Sequence, residues 1–414
     1  MKTLTKLIAL STLSSLLLFA GCASSTSSKS KKQNETETPE YPPLYELTGA
    51  KGFKMGTCMS PETLANQKFR KLVTDDFNSI TATNEMKLYS LLDWGVRSRN
   101  GMPALKWTNC DRLLQFAQEN NIKVRGHVLV WDAYMTEWFF YKDYRTKDFA
   151  DAEEIKARMK YTIEAVINHC EEKFPGVVYC WDVVNEAVAD APNEAASGDR
   201  ARIRKTRGGS KNLYYETIGR DYVKWAFKYA RDCVQENGYD IKLFYNDYNT
   251  FMSGKRDCII NLIEEINAKD DVINTKGEKL CDGVGMQGYV GGYGTQNGCM
   301  SVGDIVSIKQ AIEKYASMGY EVQITEMALR NYDNGEFAQK QHAEYYGKMA
   351  EMLSHINETA NGKFTCWAIW GILDNPSLPQ TDYSYKMNGP YCGMFTWNCK
   401  KKPEFYNTCE AMLK

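Results

Sequence analysis

The stretch VVYCWDVVNE, residues 177–186, is largely apolar over the run 177–184 and then ends on a carboxamide and a carboxylate. A short run this rich in β-branched and aromatic residues reads as a strand buried on both faces, the kind found in parallel sheets covered by helices. Glu186, directly after Val183, Val184 and Asn185, would be costly in a core, so it belongs at a polar mouth.

Seven similar runs flank this one, at residues 53–58, 79–86, 123–131, 242–248, 283–289, 321–327 and 364–371. Segments with helical spacing separate them, among them 110–120, 152–174, 215–234, 255–269, 304–318 and 337–356, with 403–413 after the last run. Apolar positions there recur at three and four, as in Ile259, Ile260, Leu262, Ile263 and Ile266. Eight strands alternating with eight helices predict an α/β fold, a closed (β/α)₈ barrel in one domain spanning 44–414. An open doubly wound sheet is the competing arrangement, but no glycine-rich turn follows the first run.

Composition narrows the function classes. Apolar residues are 43% and charged residues 25%, an ordinary globular balance, and the net charge of −1 gives no electrostatic reason to expect a nucleic-acid partner. Aromatics reach 12%, with 26 Tyr and 9 Trp, a mild excess that suits sugar-stacking surfaces. With four His and no CxxC pair at zinc spacing, neither a metal nor another cofactor is expected.

Barrel active sites lie at the C-terminal strand ends, and here those ends carry polar residues. They include Asn84 and Lys87, His127 and Trp131, Asn185 and Glu186, Asn246 and Asp247, Gln287 and Tyr289, Glu326, and Trp370. Glu186 and Glu326 end the fourth and seventh strands, so they face each other across the mouth. Two carboxylates so placed suit glycoside hydrolysis, one as protonated acid and one as carboxylate on the opposite face of the sugar.

The motifs also carry a specific resemblance. WDVVNE at 181–186 resembles the acid/base motif of glycoside hydrolase family 10, the β-1,4-xylanases, and Ile324-Thr325-Glu326 resembles its nucleophile strand. Arg125-Gly126-His127 through Trp131, Asn246-Asp247-Tyr248-Asn249, and Trp370-Gly371 followed by Asp374 and Ser377 are similar to its third, fifth and eighth strand motifs. The resemblance implies a retaining, endo-acting hydrolase of xylan, with Glu326 as nucleophile and Glu186 as acid/base. It also implies that Asn185 bonds the 2-hydroxyl of the attacked sugar, that Lys87 and His127 hold its 3-hydroxyl, that Asn84 reaches the next sugar and that Trp370 forms the floor. Glu326 is expected to have more hydrogen-bond donors around it than Glu186, Tyr289 among them.

Departures from the family pattern cluster around specificity. Ala82-Thr83 stand where the family has Pro-Glu, Leu88 replaces a Trp, Asp132-Ala133-Tyr134 replace His-Ser-Gln, Gly288-Tyr289 replace Ser-His, and Leu378 replaces a second Trp. The exact glycan is therefore open. A same-fold hydrolase of another or decorated β-glycan is one alternative, and a non-catalytic surface glycan-binding protein is another. Retention of both glutamates argues against the second.

The first 22 residues read as an export signal. Lys2 and Lys6 precede an apolar stretch that ends Phe19-Ala20-Gly21-Cys22, which resembles a bacterial lipobox with Cys22 acylated. An ordinary cleaved signal with a chance cysteine is the alternative. Residues 23–43 are Ser-, Lys-, Thr- and Glu-rich and read as a flexible tether. The expected product is an exported monomer, lipid-anchored to a bacterial membrane and otherwise secreted, acting on a polysaccharide. Among the remaining cysteines, Cys392 and Cys399 are a plausible disulfide pair, whereas Cys180 and Cys366 read as small buried hydrophobes.

Overall fold

The computed structural model describes residues 40–290, 302–377 and 389–414, so the expectations for Cys22, the first part of the tether and Leu378 fall outside the described residues. The apolar runs form β1 (Lys54–Met59), β2 (Ser79–Ala82), β3 (Lys123–Trp131), β4 (Val178–Asn185), β5 (Lys242–Asp247), β6 (Gly283–Met286), β7 (Glu321–Leu329) and β8 (Phe364–Ile369). Each pairs in parallel with its chain neighbour, and β8 pairs back to β1 at Lys54↔Cys366, which closes the eight-stranded barrel. Closure gives each of the eight barrel strands a neighbour on both sides. The open-sheet alternative is thereby excluded.

The helices that wrap the barrel bury one stripe each. In Ser253–Asn267 the buried residues are Lys255, Ile259, Leu262, Ile263 and Ile266, the three-and-four spacing seen in the sequence. Among the local readings that need correction, the sixth strand stops at Met286 rather than 289. The expected helix over 215–234 is two, Leu213–Ile218 and Tyr222–Asn237, because Gly219 takes φ +95° and ends the first. Between β1 and β2 the chain forms Pro61–Ala65 and Gln67–Asp76, which the apolar pattern did not reveal. The second strand stops at Ala82 rather than 86. There Glu85 Oε2 accepts from the Asn84 amide (3.0 Å) and the Thr83 hydroxyl (3.3 Å), a side-chain turn that competes with the ladder.

The expected pairing of Cys392 with Cys399 is also overturned. Both are free thiols, and Cys392 is buried with its Sγ donating to the Gly371 carbonyl at 3.7 Å. Burial pushes the Cys392 thiol up to about 12. Cys180 and Cys366 are fully buried, as read from sequence.

A buried ion pair ties β3 to β4. Arg125 and His127 lie on one face of β3, two residues apart, and the register sets His127 beside Asp182 of β4. Asp182 accepts two bonds from Arg125, at 2.7 and 3.0 Å, and one from His127 Nδ1 at 2.8 Å. Gly126 between them leaves room for Trp181, whose ring would lie 2.3 Å from an added Cβ. Burial alone would raise Asp182, but Arg125 and His127 hold its carboxyl below the usual Asp range. Arg125→Met should therefore lower unfolding stability by about 3–5 kcal/mol at neutral pH, because it strands a buried carboxylate. A folded carboxyl held low contributes fully above its unfolded value of about 3.9 and loses that contribution as pH falls through the folded value. Urea unfolding of parent and variant should accordingly converge in strong acid. An equal gap at every pH would rule the pair out as the cause.

Candidate active site

The C-terminal strand ends open into a cleft of about 700 Å³ lined by Lys87, His127, Trp131, Asn185, Glu186, Gln287, Tyr289, Glu326 and Trp370. Every residue proposed from sequence for sugar contact lies in this lining except Asn84. Asn84 is exposed one step away, and its Oδ1 accepts from Lys87 Nζ at 3.2 Å and from the Tyr89 hydroxyl at 2.8 Å.

Glu326 is reached by two donors among the described residues. The Asn246 amide bonds Oε1 at 3.0 Å and the Tyr289 hydroxyl bonds Oε2 at 2.8 Å. Asn246 owes its position to Gly285 on the next strand, where an added Cβ would come within 2.3 Å of its Oδ1. That Oδ1 accepts from Thr325 at 2.8 Å, which fixes which end of the amide faces Glu326. Burial, reinforced by the Glu326 charge and bond, pushes the Tyr289 phenol well above its usual range, so it keeps its proton and donates. Tyr289 thus bonds Glu326 from the position where the resemblance expects a His.

Glu186 follows β4 in the left-handed region, at φ +55°, a conformation uncommon for residues other than glycine. Its amide bonds the Asn246 carbonyl at 2.9 Å, and its own carbonyl accepts from Arg204 Nε at 3.2 Å and Arg207 Nη2 at 3.1 Å. The carboxylate receives three donors, Gln287 on Oε1 at 2.8 Å and both Trp131 (3.2 Å) and Arg207 (2.9 Å) on Oε2. Among the described residues, therefore, Glu186 holds more donors than Glu326, against the expectation. Arg207, from a hairpin after β4, supplies the difference.

The two carboxylates belong to one hydrogen-bonded chain. Asn246 Nδ2 bonds both Glu326 and Asn185 Oδ1, the latter at 3.0 Å, and Gln287 Nε2 bonds Glu186 and approaches the same Asn185 Oδ1 at 3.4 Å. Lys87 is nearly buried at their side, its ammonium 5.2 Å from the Trp131 ring centroid. Desolvation lowers the Lys87 pKa, opposed by the charges of Glu326 and Glu186. His127 commits Nδ1 to Asp182, which leaves Nε2 as the nitrogen that can meet a ligand.

Residues 44–411 match the model of glycosyl hydrolase family 10. The chain belongs to that family. It is therefore a glycoside hydrolase. Among similar proteins, a Caldicellulosiruptor saccharolyticus protein with a provisional endo-1,4-beta-xylanase name is 37% identical over 341 residues, 79% of this chain and 97% of that one. Endo-1,4-beta-xylanase A of Thermotoga maritima is 34% identical over 367 residues, 87% of this chain but 30% of that longer protein. In structure, the Clostridium thermocellum endo-1,4-beta-D-xylanase modules complexed with xylohexaose superpose with TM-score 0.73 at 29% identity, over 89% of this chain and 67% of that one.

Within this family 10 site, several residues had no role from sequence, among them Asp190 of the cleft lining and Arg204 on the Glu186 carbonyl. Asp132 was visible only as a departure, and Arg207 lay unremarked in TRGGSK, residues 206–211. The available signal was Gly208-Gly209, both at positive φ, closing a two-residue hairpin between Thr206–Arg207 and Ser210–Lys211. That the hairpin reaches Glu186 is a tertiary fact that no local pattern encodes.

Proposed function

We propose that this family 10 chain is a retaining, endo-acting β-1,4-xylanase. The observation that supports it is the placement of Glu186 and Glu326 at the ends of β4 and β7, in one cleft and linked through Asn185, Asn246 and Gln287. Glu326 attacks the anomeric carbon while Glu186 gives its proton to the departing sugar oxygen. Glu186 then takes a proton from the water that releases the glycosyl-enzyme. Asn185, Lys87 and His127 hold the hydroxyls of the attacked sugar, and Trp370 lies under its ring. The test is reducing sugar released from a panel of β-glycans, with Glu326→Ala as control. Release from another β-glycan but not xylan would move the substrate, and no release at all would favour a glycan-binding protein.

On one flank of the cleft Thr83 and Tyr134 stand where the family pattern has Glu and Gln. Tyr134 is 74% exposed, with its centroid 5.3 Å from Trp131 and 5.7 Å from Tyr89. Each lost neutral hydrogen bond removes about 0.5–1.5 kcal/mol, so two or three weaken binding there by roughly 10-fold or more. Short linear xylo-oligosaccharides should then turn over poorly relative to long or decorated chains. Thr83→Glu with Tyr134→Gln should raise kcat/KM on the short ones. Parent turnover of xylotriose as efficient as that of polymer would show that the substitutions are compensated locally.

The same reading includes export and anchoring through Cys22. Wild-type protein should partition with membranes, and Cys22→Ala should be soluble or uncleaved, since stable anchoring takes more than one acyl chain. Unmodified wild type in the soluble fraction would refute the anchor.

A further inference from the structure

The three donors on Glu186 suit only one of its two proposed states. Gln287 occupies Oε1, and Trp131 and Arg207 occupy Oε2, so both oxygens act as acceptors. A carboxylate accepts in this way, whereas a protonated carboxyl needs one oxygen turned to donate. Of the three donors, Arg207 alone carries charge. Its Nη1 lies 2.9 Å from Oε2, its Nη2 bonds the Glu186 carbonyl, and Nε and Nη2 bond Asp132 at 3.0 and 2.7 Å. Asp132 is almost wholly enclosed at 3% side-chain exposure, while Arg207 retains 27% and lines the cleft. Arg207 is therefore oriented from behind by Asp132 and is open to the cleft in front.

We propose that Arg207 is a positioning residue for the acid/base: oriented by Asp132, it grips the carbonyl and carboxylate of Glu186 in the base state and must release Oε2 before Glu186 can donate a proton. The inference rests on the acid/base role given to Glu186 above. It assigns the two steps opposite needs. Proton donation to the leaving sugar is held back by the Arg207 contact, whereas before the second step the contact keeps Glu186 ionised, the form that can take a proton from water.

The surroundings fix the expected sign. Glu186 is faced by Arg207 from the hairpin, with Asp132 from the loop after β3 behind it, and by Lys87 from the loop after β2. Asp247 of β5 and Glu326 of β7 oppose these cations, and Tyr289 follows β6. Trp131 and Gln287 are neutral donors. Removing Arg207 takes away the cation on Oε2 and leaves Lys87 and Arg204, whose Nε bonds the Glu186 carbonyl at 3.2 Å, so the positive field falls and the protonated acid becomes easier to hold. Removing the charge of Asp132 leaves Arg207 less neutralised and strengthens its hold on Glu186.

Arg207→Met and Asp132→Asn test this on two substrates, xylan and a xylobioside of a strongly acidic phenol, whose departure needs no proton. On xylan, the alkaline limb of kcat/KM should move to higher pH in Arg207→Met and to lower pH in Asp132→Asn, changing turnover on that limb by roughly 3–10-fold. On the activated xylobioside, where release of the glycosyl-enzyme limits, kcat of Arg207→Met should fall, and Arg207→Lys should restore part of it. Unchanged limbs in both variants, or an equal pH-independent loss on both substrates, would overturn the role and reduce Arg207 to a structural contact. Absence of parent turnover on either substrate would instead fall on the xylanase assignment and remove the proposal with it.

Discussion

Replacing Glu326 by Ala is expected to lower kcat on xylan by about 10⁴-fold or more, since removing a nucleophile costs nearly all of the chemistry that depends on it. The fold should survive. Glu326 sits at the barrel mouth rather than in the packed interior, and its two partners have other bonds or a route to the cleft. Asn246 still holds Asn185 and Thr325, and Tyr289 lines the cleft. A carboxylate 7% exposed near Glu186 is also a group held for function at some expense to stability, so the melting temperature should be unchanged or slightly raised. A covalent probe adds a second check. A 2-deoxy-2-fluoro xylobioside with an activated leaving group should add one glycosyl mass to the parent at Glu326 and none to the variant. Labelling elsewhere, or activity in the variant within tenfold of the parent, would reject Glu326 as the nucleophile.

The strands, the barrel and both glutamates were legible because each rests on a local signal. Near-continuous apolar runs such as 123–131 and 177–184 match observed strands within a residue, and a carboxylate directly after such a run has few places to go. What was illegible depends on distance in sequence. The helix at Gln67–Asp76 buries only three apolar residues, Phe69, Leu72 and Val73, alongside the charged Asp76, so its apolar stripe is short. Asn246 could be seen as part of a motif, but its link to both Asn185 and Glu326 needs the Gly285 gap on the neighbouring strand. Arg207 lies 21 residues beyond Glu186 in a hairpin insertion, and only the folded chain returns it to the carboxylate. The donor count at Glu186 failed for this reason. The free Cys392 and Cys399 make the same point, since proximity in sequence did not mean sulfur facing sulfur.

Glu186→Ala should separate the acid role from the base role. On xylan, whose leaving sugar is a poor leaving group, loss of a general acid should cost about 10²–10⁴-fold in kcat/KM. On a xylobioside of a strongly acidic phenol the first step needs no proton, so kcat/KM should fall little. The second step still lacks its base, and the glycosyl-enzyme should accumulate, giving a burst of phenol followed by slow turnover. Azide needs no deprotonation, and it fits the space left by a truncated side chain among Trp131, Arg207 and Gln287. The Arg207 guanidinium favours an anion there. Azide should therefore restore kcat on the activated substrate, and the product should be the β-xylobiosyl azide, because attack occurs on the face opposite Glu326. In Glu326→Ala the same anion would attack the substrate directly, from the side the nucleophile occupied, and give the α-anomer. The anomer formed thus reports which glutamate stood on which face of the sugar. An α-azide from Glu186→Ala, or equal losses on xylan and the activated xylobioside, would mean that the two roles have been assigned the wrong way round.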